Sequence, residues 1–177
     1  MSPMILTGAG WLLSALGFGG FLGSLGGPAA IAGYGTMAYG LQQIRWRNDW
    51  LGRAFWLAVA ALVQLLLLVL GLAFDRAQVY TLTLTQAAIA FSVARGVTGC
   101  LMPSAAPTGK LRTLTVTGGV IAVATVILVL GDALVAAGAE LPATAVVLLV
   151  FVSGLAGILF GGLLLTLNRE AALQAED

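Results

Sequence analysis

Histidine is absent from this 177-residue chain, cysteine occurs once, and only 8% of residues are charged. Each shortage excludes something. Without histidine the chain lacks the commonest zinc ligand, the usual haem ligand and the usual general base. A single thiol, Cys100, rules out an intrachain disulfide and any cysteine-cluster metal site. Eight basic and seven acidic residues leave a net charge of +1, with no electrostatic footprint for nucleic acid. No cofactor is expected.

What fills the chain instead is apolar. Hydrophobic residues make up 60% of it, and the mean hydropathy is +1.04. Soluble domains are about one-quarter charged, and a chain this short cannot bury so much apolar surface within itself. Lipid must be the solvent for most of these side chains. A spanning helix needs roughly 20 apolar residues, so the length allows up to six spans and leaves no room for a separate soluble domain. The chain reads as one integral membrane domain, 1–177, ending in a polar tail over 168–177. Met1 to Thr7 carries no Lys or Arg, so the first apolar stretch lacks the basic start of a cleaved signal peptide and is expected to be retained.

The apolar segments predict six helices, paired as three antiparallel hairpins. They run over about 4–25, 29–44, 50–74, 79–102, 111–139 and 142–167. The breaks are Gly26-Gly27-Pro28, the polar run Arg45 to Asp49, Asp75 to Gln78, the Pro-containing segment 103–110, and Glu140-Leu141-Pro142. The second helix is short and glycine-rich; were it only a surface segment, five spans would remain with the N-terminus outside. Six spans place Arg45, Arg47, Arg53, Lys110, Arg112 and Arg169 on one side together with both termini. The positive-inside rule makes that side cytoplasmic, in an inner or plasma membrane. Trp11, Trp46, Trp50 and Trp56 are expected at the same interface, and Tyr80 near the opposite one.

Small residues recur four apart in the returning helix of each pair: Ala32, Thr36 and Gly40; Ala88, Ser92 and Gly96; Ser153, Gly157 and Gly161. The first helix has a row of its own, Ala15, Gly19, Gly23 and Gly27. Such rows let helix backbones approach closely in lipid. Three hairpins of this kind, with Gly26-Gly27-Pro28 and Glu140-Leu141-Pro142 as turns ahead of Ala/Gly-rich helices, resemble the HdeD family of acid-resistance membrane proteins. The resemblance is architectural and implies a six-helix membrane fold; it brings no catalytic motif. The middle hairpin departs from it, with Asp75-Arg76-Ala77 where a proline belongs.

Few polar groups lie within the spans, and those that do are candidates for function. Arg95 either snorkels to the cytoplasmic interface or faces a phosphate or ion-pair partner. Asp132 is either a proton or cation site or a hydrated residue of the outer mouth. Gln64 and Gln86 fall at similar depth on neighbouring antiparallel helices, either as an interlocked amide pair or as part of a polar path with Thr81, Thr85 and Ser92. Residues Thr81 to Gln86 alternate polar and apolar as a strand would, but a lone strand cannot cross lipid with its backbone unpaired.

Other motifs fail on chemistry. Gly33-Tyr34-Gly35 lacks the preceding residues and pore helix of a potassium filter. Thr108-Gly109-Lys110 lacks the spacing of a phosphate-binding loop. Ser153 has no histidine to activate it. The expectation is a non-enzymatic membrane protein with a structural, assembly or accessory role, working through helix packing with other membrane subunits or further copies of itself. The rival is a small-solute channel or transporter with a polar path near Gln64, Gln86 and Asp132.

Overall fold

In the computed structural model, which describes residues 2–18, 26–71, 76–101 and 109–167, the secondary structure is entirely helical. Six α-helices follow in order: α1 (Pro3–Phe18), α2 (Gly26–Ile44), α3 (Asp49–Val69), α4 (Arg76–Leu101), α5 (Gly109–Ala136) and α6 (Ala143–Thr166). A single 3-10 turn, Arg45–Arg47, joins α2 to α3. Four helices, α3 to α6, are long and apolar enough to cross a membrane; α1 is apolar but shorter over its described length.

The boundaries have local causes. The side chain of Asn48 accepts the Trp50 backbone N–H at 2.8 Å and starts α3, with Asp49 in the first turn. At the far end of α5 the N–H of Ala139 reaches the Leu134 carbonyl and that of Gly138 the Val135 carbonyl. This is a Schellman stop, and it places Gly138 at φ +94°, where a side chain would be strained. Threonine hydroxyls of α4 and α5 donate to carbonyls four residues back: Thr81 to Ala77, Thr83 to Val79, Thr85 to Thr81, and Thr117 to Thr113. These bonds satisfy the hydroxyls within the helix, so the alternating stretch 81–86 is helical.

Several boundaries depart from the sequence reading. Arg76 to Gln78, expected as part of a connection, is the first turn of α4. Helix α3 ends at Val69, short of the expected 74, with Leu70 and Gly71 in a turn. Gly26-Gly27-Pro28 is not a turn but the first turn of α2. Proline is tolerated there because its missing N–H would have had no intrahelical acceptor. The expected extension of the first helix to residue 25, the end of the third helix beyond 71, the segment 102–108 and the tail 168–177 lie outside the described residues.

Each helix packs on its neighbours in the chain, and α6 returns to α1, closing a ring. The tightest contact is α1 on α2. A Cβ added to Gly10 would stand 2.5 Å from the Met37 nitrogen and 2.6 Å from the Gly33 carbonyl oxygen. One added to Gly17 would meet the Gly26 carbonyl at 2.6 Å, and one on Gly40 the Pro3 carbonyl at 2.7 Å. The contact rows are therefore Gly10 and Gly17 against Gly26, Gly33 and Gly40, spaced by seven. A seven-residue repeat is the left-handed, coiled-coil-like geometry. The four-apart row Ala32, Thr36 and Gly40 is not that face, since Ala32 is exposed and Thr36 half-buried. Of the expected α1 row, Ala15 is half-buried, Gly27 belongs to α2, and Gly19 and Gly23 lie outside the described residues.

The core lies toward the end of the bundle where α2 meets α3. Its large buried members include Trp11, Tyr34, Met37, Leu41, Leu51, Ile89, Leu114 and Phe160. Toward the opposite end the cover thins. From Ile127 to Leu155 nearly every residue of α5 and α6 is exposed.

Candidate functional site

The four polar residues singled out by sequence are dispersed rather than gathered. Gln64, half-buried on α3, looks into a crevice of about 130 Å³ between α3 and α4, with Leu67, Leu68, Gln78, Thr81 and Leu82. Its carbonyl oxygen is buried and has no hydrogen-bond partner, so it is not paired with the amide of Gln86. The inter-helix register explains this. Gly96 lies against Leu51 and Gly99 against Asn48, so Gln64 sits at the depth of residues 82–83, about one turn from Gln86.

Asp132 is exposed near the end of α5, and its carboxylate accepts a hydrogen bond from the phenol of Tyr80 on α4. The same register continues down that helix pair. A Cβ on Gly118 would meet Ala94 Cβ at 2.9 Å, and the hydroxyls of Thr98 and Thr115 are 3.1 Å apart. Sequence reasoning placed Tyr80 near the outer interface but missed its pairing with Asp132, which needs the α4–α5 register to be known. Arg95 is exposed, its guanidinium 5.6 Å from the centroid of the Phe91 ring.

The small-residue rows of α4 and α6 face their neighbours. Gly96 lies so close to Leu51 that a Cβ would stand 2.6 Å from the leucine side chain; Ser92 is buried one turn away and Ala88 is half-buried. On α6, Gly157 and Gly161 are buried against α1, and Ser153 is half-buried. There Trp11 departs from expectation. It is not an interfacial anchor: it is only 2% exposed, its indole N–H donates to the Gly157 carbonyl at 3.0 Å, and its ring meets Phe160 edge-on at 5.0 Å. Glycine at 157 and 161 leaves the room the indole needs.

The basic end carries a cluster of arginines set against aromatic rings. Arg45 stacks its guanidinium 3.9 Å from the Trp46 ring centroid and 4.9 Å from that of Phe55. Arg53 lies 4.7 Å from the Trp50 ring, which meets Phe91 edge-on at 5.9 Å. Trp46 and Trp56 are 78% and 64% exposed, as interfacial indoles are. An open groove of about 690 Å³ between α3 and α4 contains Arg45, Asp49, Arg53, Trp56 and Ser92.

Among the described residues, Thr7, Ser14, Thr117 and Thr125 are also buried, and the hydroxyls of Thr7, Ser14 and Thr117 donate to carbonyls of their own helices. Among the described residues no group of three or more His, Cys, Asp or Glu stands where it could hold a metal ion. All of this describes a helical, membrane-compatible bundle. No family model, no curated protein and no solved structure matches the chain.

Proposed function

We propose that the protein is a non-enzymatic, six-span membrane protein with both termini on the cytoplasmic side, acting by helix packing as an assembly or accessory subunit. The observation behind this reading is the contrast between two helix pairs. Between α1 and α2, Gly10, Gly17, Gly26, Gly33 and Gly40 are spent on close backbone contact within the bundle. On α5 and α6, by contrast, Gly119, Gly154 and Gly162 face open space, with nothing within 4 Å of an added Cβ. A glycine inside a helix costs about 1 kcal/mol relative to alanine. Within the protomer nothing offsets that cost, whereas a neighbouring helix packed against small residues would. Gly154 lies among exposed apolar side chains, including Val147, Phe151 and Ile158, which suits lipid and a helical partner equally; the glycines favour the partner.

Support for the channel or transporter reading rests on the buried Gln64 oxygen. It is weakened because the crevice beside Gln64 includes neither Gln86 nor Asp132, and because Asp132 already accepts a bond from Tyr80.

The experiment uses Gly154→Cys in a Cys100→Ala background, oxidised in native membranes. Disulfide-linked pairs of this chain would identify a second copy as the partner, and links to a different membrane protein an accessory role. A chain that stays unlinked, and runs as a monomer in native mass spectrometry, overturns the packing role.

A further inference from the structure

We infer that the groove at the basic end is a binding site for one anionic phospholipid, its phosphodiester held by Arg45 and Arg53 and its acyl chain laid along α3. Among the described residues neither Arg45 nor Arg53 has an acidic group within 4.0 Å, and the Nε of Arg45 is buried with no hydrogen-bond partner. Both guanidiniums are held by aromatic faces instead, Arg45 between Trp46 and Phe55 and Arg53 at Trp50. Contact with the rings leaves the terminal Nη–H groups of each guanidinium for a planar or tetrahedral oxyanion.

Charge selects the ligand. Two arginines and Asp49 give the groove a formal charge of +1, which one phosphodiester neutralises. A lipid with a single net negative charge therefore leaves the site neutral, whereas a zwitterionic lipid adds a cation of its own and leaves the site at +1. Shape selects a lipid over free phosphate. Below the arginines the wall turns apolar at Trp56 and Leu57, and the exposed residues Trp56, Ala60, Val63 and Leu67 continue down one face of α3. Their spacing of three or four makes a continuous stripe for an acyl chain.

The test is quenching of the intrinsic tryptophan fluorescence of the full-length protein by phospholipids with brominated acyl chains. Each basic residue near a membrane surface contributes about 1 kcal/mol toward an anionic lipid, or roughly fivefold in affinity. Phosphatidylglycerol is thus expected to quench at several-fold lower mole fraction than phosphatidylcholine. Arg53→Gln, whose side chain is exposed and outside the core, should remove roughly fivefold of that preference, and Arg45→Gln with Arg53→Gln all of it. Asp49→Asn should strengthen it by a similar factor, which a purely structural role for these residues would not do. Arg112→Gln, at the same end but outside the groove, should leave it intact. Equal quenching by the two lipids in the unmodified protein overturns the inference. So does an Arg112→Gln loss as large as that of Arg53→Gln, which would mean diffuse surface attraction. Displacement by excess inorganic phosphate also overturns it, in favour of a free-phosphate site.

Discussion

At the scale of single residues, the glycines do different work according to what a side chain would meet. Gly10 and Gly33 stand at the closest approach of α1 and α2, where a methyl group collides with backbone that cannot move aside. Gly35, two residues from Gly33, faces open space. Gly10→Ala and Gly33→Ala are each expected to destabilise the folded protein by about 1–3 kcal/mol, the usual cost of overpacking. Gly35→Ala should be neutral or stabilising by up to about 1 kcal/mol through helix propensity. Reversible unfolding in mixed detergent measures all three, and equal effects would contradict the seven-residue contact row. Trp11 gives a second check. Its indole is enclosed and bonded to Gly157, so a variant retaining only Trp11 should emit at short wavelength and resist quenching by brominated lipid. An interfacial indole would be quenched. Trp11→Phe should cost about 1 kcal/mol for the lost hydrogen bond.

At the scale of elements, α4 and α5 hold one register from the Thr98–Thr115 hydroxyl pair to the Tyr80–Asp132 bond. If that last bond links the helices, Tyr80→Phe and Asp132→Asn are not independent. A double-mutant cycle on unfolding free energy should return a coupling of about 1 kcal/mol, within the range for interhelical bonds in membranes; additive effects would mean the bond is not formed in the bilayer. The elements themselves were largely legible, because Gly, Pro and polar runs interrupt the apolar segments near their true ends. Their faces were much less so. With alanine and glycine everywhere, a four-apart row such as Ala32, Thr36 and Gly40 is as visible as the seven-apart row Gly26, Gly33 and Gly40. Only the partner helix decides which one is used. The same limit hid the Trp11 site, since nothing in the sequence near residue 11 says that Gly157 and Gly161 will open a place for its ring. It also misjudged Gly26-Gly27-Pro28, a triplet that suits a turn and a helix start about equally. Arg45, Arg53 and Trp56 were placed on the cytoplasmic side from sequence and Asp49 in the polar run before α3, but the stacking of the two arginines on Trp46, Phe55 and Trp50 depends on the turn between α2 and α3.

At the scale of the whole molecule, the number of spans turns on α2, which is too poor in hydropathy to stand among the four candidate membrane helices. Its neighbours supply what its composition lacks. Gly27 lies beside Val69 at one end of α3, and Gly52 lies near Arg45 at the other, so α2 runs the full length of a helix that itself qualifies as a span. Nineteen residues at 1.5 Å each give α2 about 28 Å, close to the roughly 30 Å hydrocarbon thickness of a bilayer. Against α1 the glycine contacts run from Gly17 on Gly26 to Pro3 on Gly40, so α1 and α2 occupy the same depth along that face. A surface-lying α2 would have to break both interfaces. The consequence is a difference in sidedness that one labelling experiment reads. In a Cys100→Ala background, Ser2→Cys should be protected from an impermeant maleimide in intact cells, and Pro28→Cys and Glu140→Cys should react. Five spans with α2 on the inner surface reverse the first two, leaving Ser2→Cys reactive and Pro28→Cys protected while Glu140→Cys is unchanged. Because Glu140→Cys reacts under either topology, it reports that the variant has reached the membrane, and the contrast between positions 2 and 28 decides whether the glycine-packed helix crosses.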